Sequence, residues 1–388
     1  MNNFIHMSLI RVAFATIIVA ICLNVKAQDN IKLIVGTYTN GTSKGIYSFN
    51  FNQLTGEASP LDTLEIKNSS YLTLSMDGTK IYAVSEMGDS TASVNAITFN
   101  ESTGEMKLQS SFPTRGEDPC FVETNGNLVL TANYSGGSMS IFPLNPDGSL
   151  CEMTQLFKGS IGGTDVNRQN TPHVHCTRFL PDGSGVLVTD FSADRLLRFN
   201  LEDMKKMGGQ NVAAEVAKGS GPRHLAFSTD SRFLYVINEL SGTVTAFSYN
   251  FGKIKKIQEI QSDEVGGRGC ADIHTTPDGR FLYTSNRLKN DGITIFKVNQ
   301  KTGLLTKVGY QKTGIHPRNF NITPNGRYLL CACRDDNTIQ VYRINSSTGL
   351  LTDIKQNIDV DKAVCVQFYP IVMQPDIPGN GVFKVIEK

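Results

Sequence analysis

The chain has 388 residues, with 37 lysine and arginine residues against 36 aspartate and glutamate residues. This balance, together with the lack of any basic block, excludes the charge pattern of proteins that bind nucleic acids or anionic membranes. Glycine is frequent at 35 residues, tryptophan is absent, and short alternating apolar stretches recur throughout. These features predict an all-β protein with many tight turns.

Residues 1–27 have the pattern of an export signal. Arg11 precedes an apolar run that ends at Cys22, and two small residues precede the cut expected after Ala27, as a signal peptidase requires. The run is too short for a spanning helix, and no later segment of the sequence has the apolar length to cross a membrane. We therefore predict a signal peptide, a mature domain over residues 28–388, and a periplasmic or secreted protein.

The cysteines are not predicted to form a disulfide framework. Their number outside the leader is odd and their spacing is irregular, unlike the cysteines of disulfide-rich secreted domains. The sequence has no CxxC or CxxCH motif, which disfavours structural zinc and covalent haem. We predict that they are small buried apolar residues, namely Cys120, Cys151, Cys176, Cys270, Cys331, Cys333 and Cys365.

An internal repeat dominates the sequence. Its first element is an alternating strand followed by a turn with glycine, as in ITIFKVNQKTG over residues 293–303. Seven copies occur, with glycines at positions 56, 104, 148, 208, 252, 303 and 349. A repeat of roughly fifty residues indicates units that stack on their neighbours in sequence.

The second element of the repeat is a hairpin half a period away. Its turns contain Asp-Gly, Asn-Gly or related pairs, which tolerate the positive φ of tight hairpins. The turn residues Asp77, Asn125, Asp182, Asp230, Asp278 and Asn325 are 48, 57, 48, 48 and 47 residues apart. The longest interval reflects an insertion around residues 158–171, which leaves the repeat intact.

Each unit has the pattern of four short antiparallel strands, named A to D from the inside outward. In residues 221–260 these strands are HLAF, RFLYVIN, TVTAFSYN and IKKIQEI. Such a sheet cannot bury both faces alone, so seven units are predicted to form a seven-bladed β-propeller. Residues 33–39 lack a preceding strand A, and residues 363–370 lack a following strand B. We expect these segments to complete one shared blade, which removes an exposed edge.

Unusual polar residues concentrate on one face of this propeller. That face carries the B–C turns and the loops from strand D to the next strand A. Before strand A come His173, His175, Arg223, His224, Asp272, His274, His316 and Arg318. The B–C turns add Glu86, Asn133, Tyr134, Glu239, Asn286 and Arg287. Because the opposite face carries ordinary turn residues, this asymmetry predicts a site where the A strands line the channel.

Several of these residues also have a structural interpretation. Arg223 and Arg318 each follow a proline; they either form ion pairs between blades or bind an anion or carbonyl group, and we favour the second. His173 and His175 have a spacing found in metal sites, but their side chains point in opposite directions on a strand. We expect one to face the channel, and we predict no metal and no cofactor. Glu239 and His175 are the favoured acid–base pair.

Several motifs resemble one family over residues 31–370. GTYT near the start, PHVH, GPRHLAF, ADIHTTPDGRFLYTSNR and HPRNF, followed by a TGLL repeat, are similar to the seven-bladed lactonase family. That family includes the bacterial propeller-type 6-phosphogluconolactonases and the fungal carboxymuconate-lactonising enzymes. The resemblance implies a catalytic set of His175, Arg223, Glu239 and Arg287.

Three functions stay open at this point. The first is hydrolysis of a sugar lactone by direct water attack, because no serine or cysteine lies in a nucleophile elbow. Arg223 and Arg287 would bind the carbonyl or carboxylate oxygen, and Glu239 or His175 would accept the proton from water. The second is the reverse cyclisation of an unsaturated acid. The third is a non-enzymatic binding scaffold.

The residues predicted to bind substrate are His173, His224, His274, Arg318 and Asn133. The expected ligand is a small lactone or carboxylate, and the propeller is expected to be a monomer. The export signal argues against a phosphorylated sugar lactone, because such compounds are scarce outside the cytoplasm. Replacing Glu239 with glutamine or His175 with alanine is expected to lower turnover and leave the fold intact.

Overall fold

Seven antiparallel sheets surround a central channel, which confirms the predicted seven-bladed β-propeller. The computed structural model describes residues 29–203 and 206–369, so the predicted leader lies outside the described residues. Within these ranges the only helical element is a short 3₁₀ turn, Phe191–Ala193. No helix in the described ranges has the length and apolar character needed to cross a membrane.

The first four blades follow the predicted strand order, with strand A innermost and strand D outermost. Blade 1 contains Ala363–Phe368, Asn30–Thr37, Gly45–Asn52 and Ala58–Glu65. Blade 2 contains Leu72–Leu74, Lys80–Ser85, Ser93–Phe99 and Met106–Pro113. Blade 3 contains Pro119–Thr124, Leu128–Asn133, Ser138–Pro143 and Gln155–Lys158. Blade 4 contains Val174–Phe179, Gly185–Asp190, Arg195–Asp203 and Lys206–Glu215.

The last three blades have the same order. Blade 5 contains Pro222–Phe227, Phe233–Asn238, Thr243–Asn250 and Lys253–Gln261. Blade 6 contains Ile273–Thr275, Phe281–Asn286, Gly292–Val298 and Leu305–Lys312. Blade 7 contains Pro317–Ile322, Tyr328–Cys333, Thr338–Ile344 and an outer strand in two pieces, Leu351–Asp353 and Ile358–Asp359.

The two ends of the chain close the ring within blade 1. Strand B, Asn30–Thr37, pairs with strand C on one side and with Ala363–Phe368 on the other. This pairing confirms the predicted closure by N- and C-terminal strands. It satisfies backbone groups that would otherwise form two exposed edges.

Burial decreases from the inner strands to the rim. The B strands of blades 3 to 7 are buried along their whole length, because neighbouring blades cover both of their faces. Strands covered on both faces are runs of apolar residues and lack the polar alternation of half-exposed strands. The outer strands Ala58–Glu65 and Met106–Pro113 are mostly exposed.

Four tyrosines on B strands tie four of the seven blades to the next blade. Their hydroxyls donate to backbone carbonyls in the following blade at 2.7–3.0 Å, in the pairs Tyr82–Gly148, Tyr235–Gly303, Tyr283–Gly349 and Tyr328–Leu54. A buried hydrogen bond of this kind contributes about 1 kcal/mol. The repeated contact therefore fixes how neighbouring blades stack.

The repeat is irregular in blade 4. Six of the seven repeat glycines have a positive φ between 73° and 83° in the C–D turn. In blade 4, strand C continues to Asp203 and strand D begins at Lys206, so Gly208 lies inside strand D, opposite Asn200. The prediction that Gly208 marks the turn is therefore wrong, because the hairpin reverses earlier.

The cysteines agree with the sequence prediction in all but one respect. All seven in the described ranges are free thiols, and six are buried. Cys151 is partly exposed. The sulfur atoms of Cys331 and Cys333, two residues apart on one strand, lie 3.9 Å from each other.

Candidate active site

A cavity of about 330 Å³ lies at the mouth of the central channel, on the face with the B–C turns and the D–A loops. Four arginines and three carboxylates dominate its lining. The lining residues are Glu86, Asp118, Cys120, Tyr134, Ser135, Arg168, His175, Arg223, Glu239, Arg287 and Arg318. The fold thus brings together the four residues predicted to be catalytic and one residue predicted to bind substrate, Arg318.

Four of the lining residues occupy β-bulges on A strands. In blades 3, 4, 5 and 7 the pairing between strands A and B contains one extra strand-A residue, within Pro119–Phe121, Val174–Thr177, Pro222–His224 and Pro317–Asn319. These segments contain Cys120, His175, Arg223 and Arg318. A bulge removes a side chain from the regular alternation and re-aims it, here toward the cavity. Proline opens three of the bulges, where a ladder N–H is not required.

Glu239 is the centre of an ion-pair cluster. It follows strand B of blade 5, and its backbone N–H donates to the carbonyl of Gly221 at 2.8 Å. Its Oε2 accepts from Arg223 Nε at 2.8 Å and lies 3.4 Å from Arg287 Nη2. Its Oε1 accepts from Arg168 Nη2 at 2.8 Å. One buried carboxylate therefore holds three guanidinium groups around the cavity.

These arginines keep Glu239 ionised. Burial raises the pKa of its carboxyl, but Arg287, Arg223 and Arg168 together hold that pKa at about 2. Burial also lowers the pKa of Arg287 to about 9, which leaves this guanidinium charged at neutral pH. Arginine N–H groups donate to both oxygens of Glu239, so this carboxylate acts as their counter-ion. The roles of Glu239 and His175 as an acid–base pair stay predictions.

Arg168 comes from the insertion around residues 158–171. Its Nη2 also donates to the hydroxyl of Tyr134 at 3.0 Å. The adjacent Gln169 is buried and anchors the loop by donating to Asp194 Oδ1 at 2.7 Å. The sequence prediction did not include Arg168. The available signal was an insertion on the site face, since such loops often carry functional residues.

His175 is buried and neutral. Burial lowers its pKa well below 6.5, and the charges of Arg223 and Arg318 act in the same direction. The thiol of Cys120 donates to the His175 carbonyl at 3.5 Å, and its sulfur lies 3.6 Å from His175 Nδ1. The sulfur therefore accepts from Nδ1–H, and this tautomer leaves a lone pair on Nε2. Among the described residues no group hydrogen-bonds to Nε2, and His175 lines the cavity.

A second ion pair at the cavity joins blade 7 to blade 2, the two neighbours of blade 1. Arg318 Nη2 lies 3.5 Å from Glu86 Oε2, and the guanidinium lies 5.3 Å from the ring centroid of Tyr38. The Tyr38 hydroxyl donates to Glu86 Oε1 at 2.8 Å, and the Ser70 hydroxyl donates to Oε2. Arg318 thus forms an ion pair between blades and also lines the cavity, while its binding of an anion or carbonyl group stays a prediction.

Two of the residues predicted to bind substrate lie behind the cavity wall. His173 stacks on Tyr134 with ring centroids 4.1 Å apart, and its Nδ1 donates to the Tyr134 carbonyl at 2.8 Å. Asn133 is fully buried, and its amide donates to the hydroxyls of Ser138 and Ser140 at 3.0 and 2.8 Å. Both therefore support the wall, and their binding roles stay predictions.

Two further histidines predicted to bind substrate contact the buried carboxylate of Asp272. His224 Nδ1 lies 2.7 Å from Asp272 Oδ1, and His274 Nε2 lies 3.0 Å from Asp272 Oδ2. Neither histidine lines the cavity. In the described part of the chain, no three His, Cys, Asp or Glu side chains group as a metal site would require.

The cavity combines positive charge with a neutral histidine. Its four arginines outnumber its three carboxylates by one. Among the described residues, neither Arg223 Nη2 nor Arg318 Nη1 has an acceptor, so both keep N–H groups for a ligand oxygen. Such an arrangement suits a ligand with carbonyl or carboxylate oxygens.

Comparison with known proteins identifies the family. The family model described as lactonase, 7-bladed β-propeller, matches residues 32–368. The 6-phosphogluconolactonase of Formosa agariphila is 34% identical over 351 residues, which cover 87% of this chain and 99% of that protein.

Solved structures support the same family assignment. A crystal structure of a proposed 6-phosphogluconolactonase from Bacteroides uniformis is 57% identical, has a TM-score of 0.85, and is matched over 88% of this chain and 100% of that chain. The periplasmic gluconolactonase PpgL of Pseudomonas aeruginosa is 29% identical, with a TM-score of 0.82 over 88% of this chain and 99% of that chain. The chain therefore belongs to the seven-bladed β-propeller lactonases, a family of lactone-hydrolysing enzymes.

Proposed function

We propose that this lactonase hydrolyses a sugar lactone by direct attack of water in the cavity around His175. The observation that carries the proposal is a neutral histidine that lines a cavity together with four arginines and has no hydrogen bond at Nε2 among the described residues. The relatives named 6-phosphogluconolactonase and gluconolactonase support a sugar lactone as the substrate. The product is the open-chain sugar acid.

Arg223 and Arg318 are proposed to bind the lactone carbonyl oxygen. Attack by water turns this oxygen into an oxyanion, and N–H donors aimed at it stabilise the transition state more than the ground state. The free N–H groups at Arg223 Nη2 and Arg318 Nη1 supply these donors. Because Glu239 holds Arg223 by an ion pair, this guanidinium needs no reorganisation when the charge develops.

His175 is proposed to carry the proton. Its Nε2 takes a proton from water as the water oxygen bonds to the carbonyl carbon. The bond between that carbon and the ring oxygen then breaks, and the same nitrogen returns the proton to the leaving alkoxide. A histidine that is neutral at pH 7 starts this cycle in the required state.

An exported location is proposed together with an unphosphorylated substrate. Residues 1–27 have the composition of an export signal, and the relative PpgL is named a periplasmic gluconolactonase. Outside the cytoplasm, free aldonolactones are more accessible than sugar phosphates. We therefore propose gluconolactone, rather than its 6-phospho derivative, as the better substrate.

A panel of lactones tests both proposals. Mature protein, residues 28–388, is assayed by pH-stat with glucono-1,5-lactone, its 6-phospho derivative and an unsaturated dicarboxylic acid for the reverse cyclisation. We expect hydrolysis above the spontaneous rate and a higher kcat/KM for the unphosphorylated lactone. Spontaneous rates with every lactone would overturn the lactonase proposal. A higher kcat/KM for the phosphorylated lactone would overturn the substrate assignment alone.

The activity should be independent of pH between about 5.5 and 7.5. Burial lowers the pKa of His175 well below 6.5, so the neutral form that accepts a proton is present throughout this range. It is lost only as the pH falls through the lowered pKa. Glu239, with a pKa of about 2, stays ionised over the same range. Initial rates corrected for spontaneous hydrolysis check this, and an acid limb centred near pH 6.5 would contradict it.

A further inference from the structure

Asp272 is a buried carboxylate that the proposed reaction does not use. It precedes strand A of blade 6 and is 2% exposed. Its two oxygens accept hydrogen bonds from groups in three blades, namely blades 5, 6 and 7. The donors are His224 Nδ1 at 2.7 Å, the Ile273 N–H at 3.0 Å, His274 Nε2 at 3.0 Å, Asn319 Nδ2 at 2.5 Å and the Phe320 N–H at 3.3 Å.

This carboxylate fixes the tautomer of His224. An ionised carboxylate only accepts hydrogen bonds, so Nδ1 of His224 carries the proton and Nε2 keeps a lone pair. Burial lowers the pKa of His224 to about 4, which keeps the ring neutral at pH 7. The Nε2 atom lies 3.4 Å from Arg223 Nη1 and therefore accepts from that guanidinium.

His224 contacts two of the three groups proposed to act on the substrate. Besides its contact with Arg223, its ring packs edge-on against His175, with centroids 5.1 Å apart. The rings of Tyr71 and Phe121 lie 5.8 and 5.3 Å from it. An imidazole held by aromatic rings and by a carboxylate therefore has one orientation.

We propose that Asp272 is a positioning residue, which acts through His224 to orient Arg223. Arg223 Nη1 is shared between His224 and the carbonyl of Ala271, which lies 2.6 Å away. Its Nε is bound to Glu239 at 2.8 Å, so Nη2 is the nitrogen left for substrate. The inference rests on the proposed function, because it takes Arg223 as the group that binds the carbonyl oxygen.

Only a carboxylate satisfies this environment. All five groups around Asp272 donate, so asparagine would turn its own NH₂ toward at least one donor. The mismatch can be relieved if His224 moves its proton to Nε2. Nε2 would then present an N–H to the guanidinium, and the contact with Arg223 would be lost.

Nitrogen NMR tests the tautomer directly in the mature protein labelled with ¹⁵N-histidine. We expect His224 to show a protonated Nδ1 and an unprotonated Nε2 at pH 7. The signal is assigned by its disappearance in His224→Phe. A protonated Nε2, or a doubly protonated ring, would overturn the proposal without any activity measurement.

Kinetics test the consequence for catalysis. We expect Asp272→Asn and His224→Phe each to lower kcat by about 10- to 100-fold, the range found when a group that orients a metal-bound side chain is lost. His224→Phe keeps an aromatic ring in place but offers no acceptor to Arg223. His224→Gln restores an acceptor and should recover part of the rate.

Asn319→Ala is the matched control. It removes another buried contact to Asp272, at Oδ2, on the side away from His224. We expect a lower melting temperature with kcat within about twofold of wild type and an unchanged His224 tautomer. A kcat of His224→Phe equal to that of the control would overturn the proposal. If wild type hydrolyses no lactone, the proposed function fails, and the NMR result still decides the role of Asp272 in holding His224.

Discussion

Replacing His175 with glutamine should lower kcat for lactone hydrolysis by roughly 10²- to 10⁴-fold, the range typical for loss of a proton-transfer residue. Glutamine fills much of the same volume but accepts no proton at neutral pH. Because Arg223 and Arg318 remain in place, binding of the carbonyl oxygen should persist. We therefore expect KM to change far less than kcat, which initial rates over a range of lactone concentrations will show.

The control for this variant is Cys176→Ala. Cys176 is the next residue on the same strand and is equally buried, but it does not line the cavity. We expect it to keep kcat within about twofold while losing some stability from the small cavity. Wild-type kcat in His175→Gln would remove His175 from the mechanism.

Replacing Glu239 with glutamine should lower the free energy of unfolding by about 3–5 kcal/mol, as expected when one partner of a buried ion pair is removed. The substitution removes the carboxylate charge that faces three buried or half-buried arginines, Arg223, Arg287 and Arg168. The sequence alone suggested that this change leaves the fold intact. The ion-pair cluster revises that expectation, and activity should fall together with stability. Urea denaturation with an unchanged slope m measures the effect.

Glu65→Gln is the matched control for charge removal. Glu65 pairs with Lys44 at 3.4 Å on the exposed rim, where ion pairs contribute about 0–1 kcal/mol. Its unfolding free energy should therefore stay close to that of wild type. Equal stability of Glu239→Gln and Glu65→Gln would show that the cluster around Glu239 does not stabilise the fold.

The propeller could be predicted because the repeat consists of short-range sequence motifs. Turn glycines, Asp-Gly pairs and alternating strands recur with a fixed spacing, and each depends on a few neighbouring residues. The unpaired segments at the two ends then required closure within one blade. Gly208 was misplaced because a glycine also fits inside a strand, and the hairpin of blade 4 reverses before it.

The location of the candidate site could be predicted for a similar reason. Strand order assigns every turn to one face, so residues as distant as His175 and Arg287 were expected at the same channel mouth. Their hydrogen bonds could not be derived in this way. That Glu239 binds three arginines depends on distances between blades, which the repeat does not encode.

Arg168 and Cys120 were missed for two different physical reasons. Arg168 lies in an insertion, and the path of an inserted loop is set by tertiary contacts such as the one between Gln169 and Asp194. Cys120 was counted as a buried apolar residue, and it is buried. Its contact with His175 arises from bulges on two neighbouring strands, and single-residue bulges leave no clear periodic signal.

At those bulges the backbone sets the direction of the side chain, whichever residue type occupies the position. Cys120, Arg223 and Arg318 have no partner in the ladder between strands A and B, and in blade 4 neither His175 nor Cys176 has one. We therefore expect an exchange at these positions to leave the blade pairing in place. The scaffold thus holds four side-chain positions that line one cavity. At Cys120 and His175, which form no ion pair, a combinatorial library would vary the cavity lining with little effect on strand pairing, whereas exchanging Arg223 would also remove one partner of the buried Glu239 carboxylate.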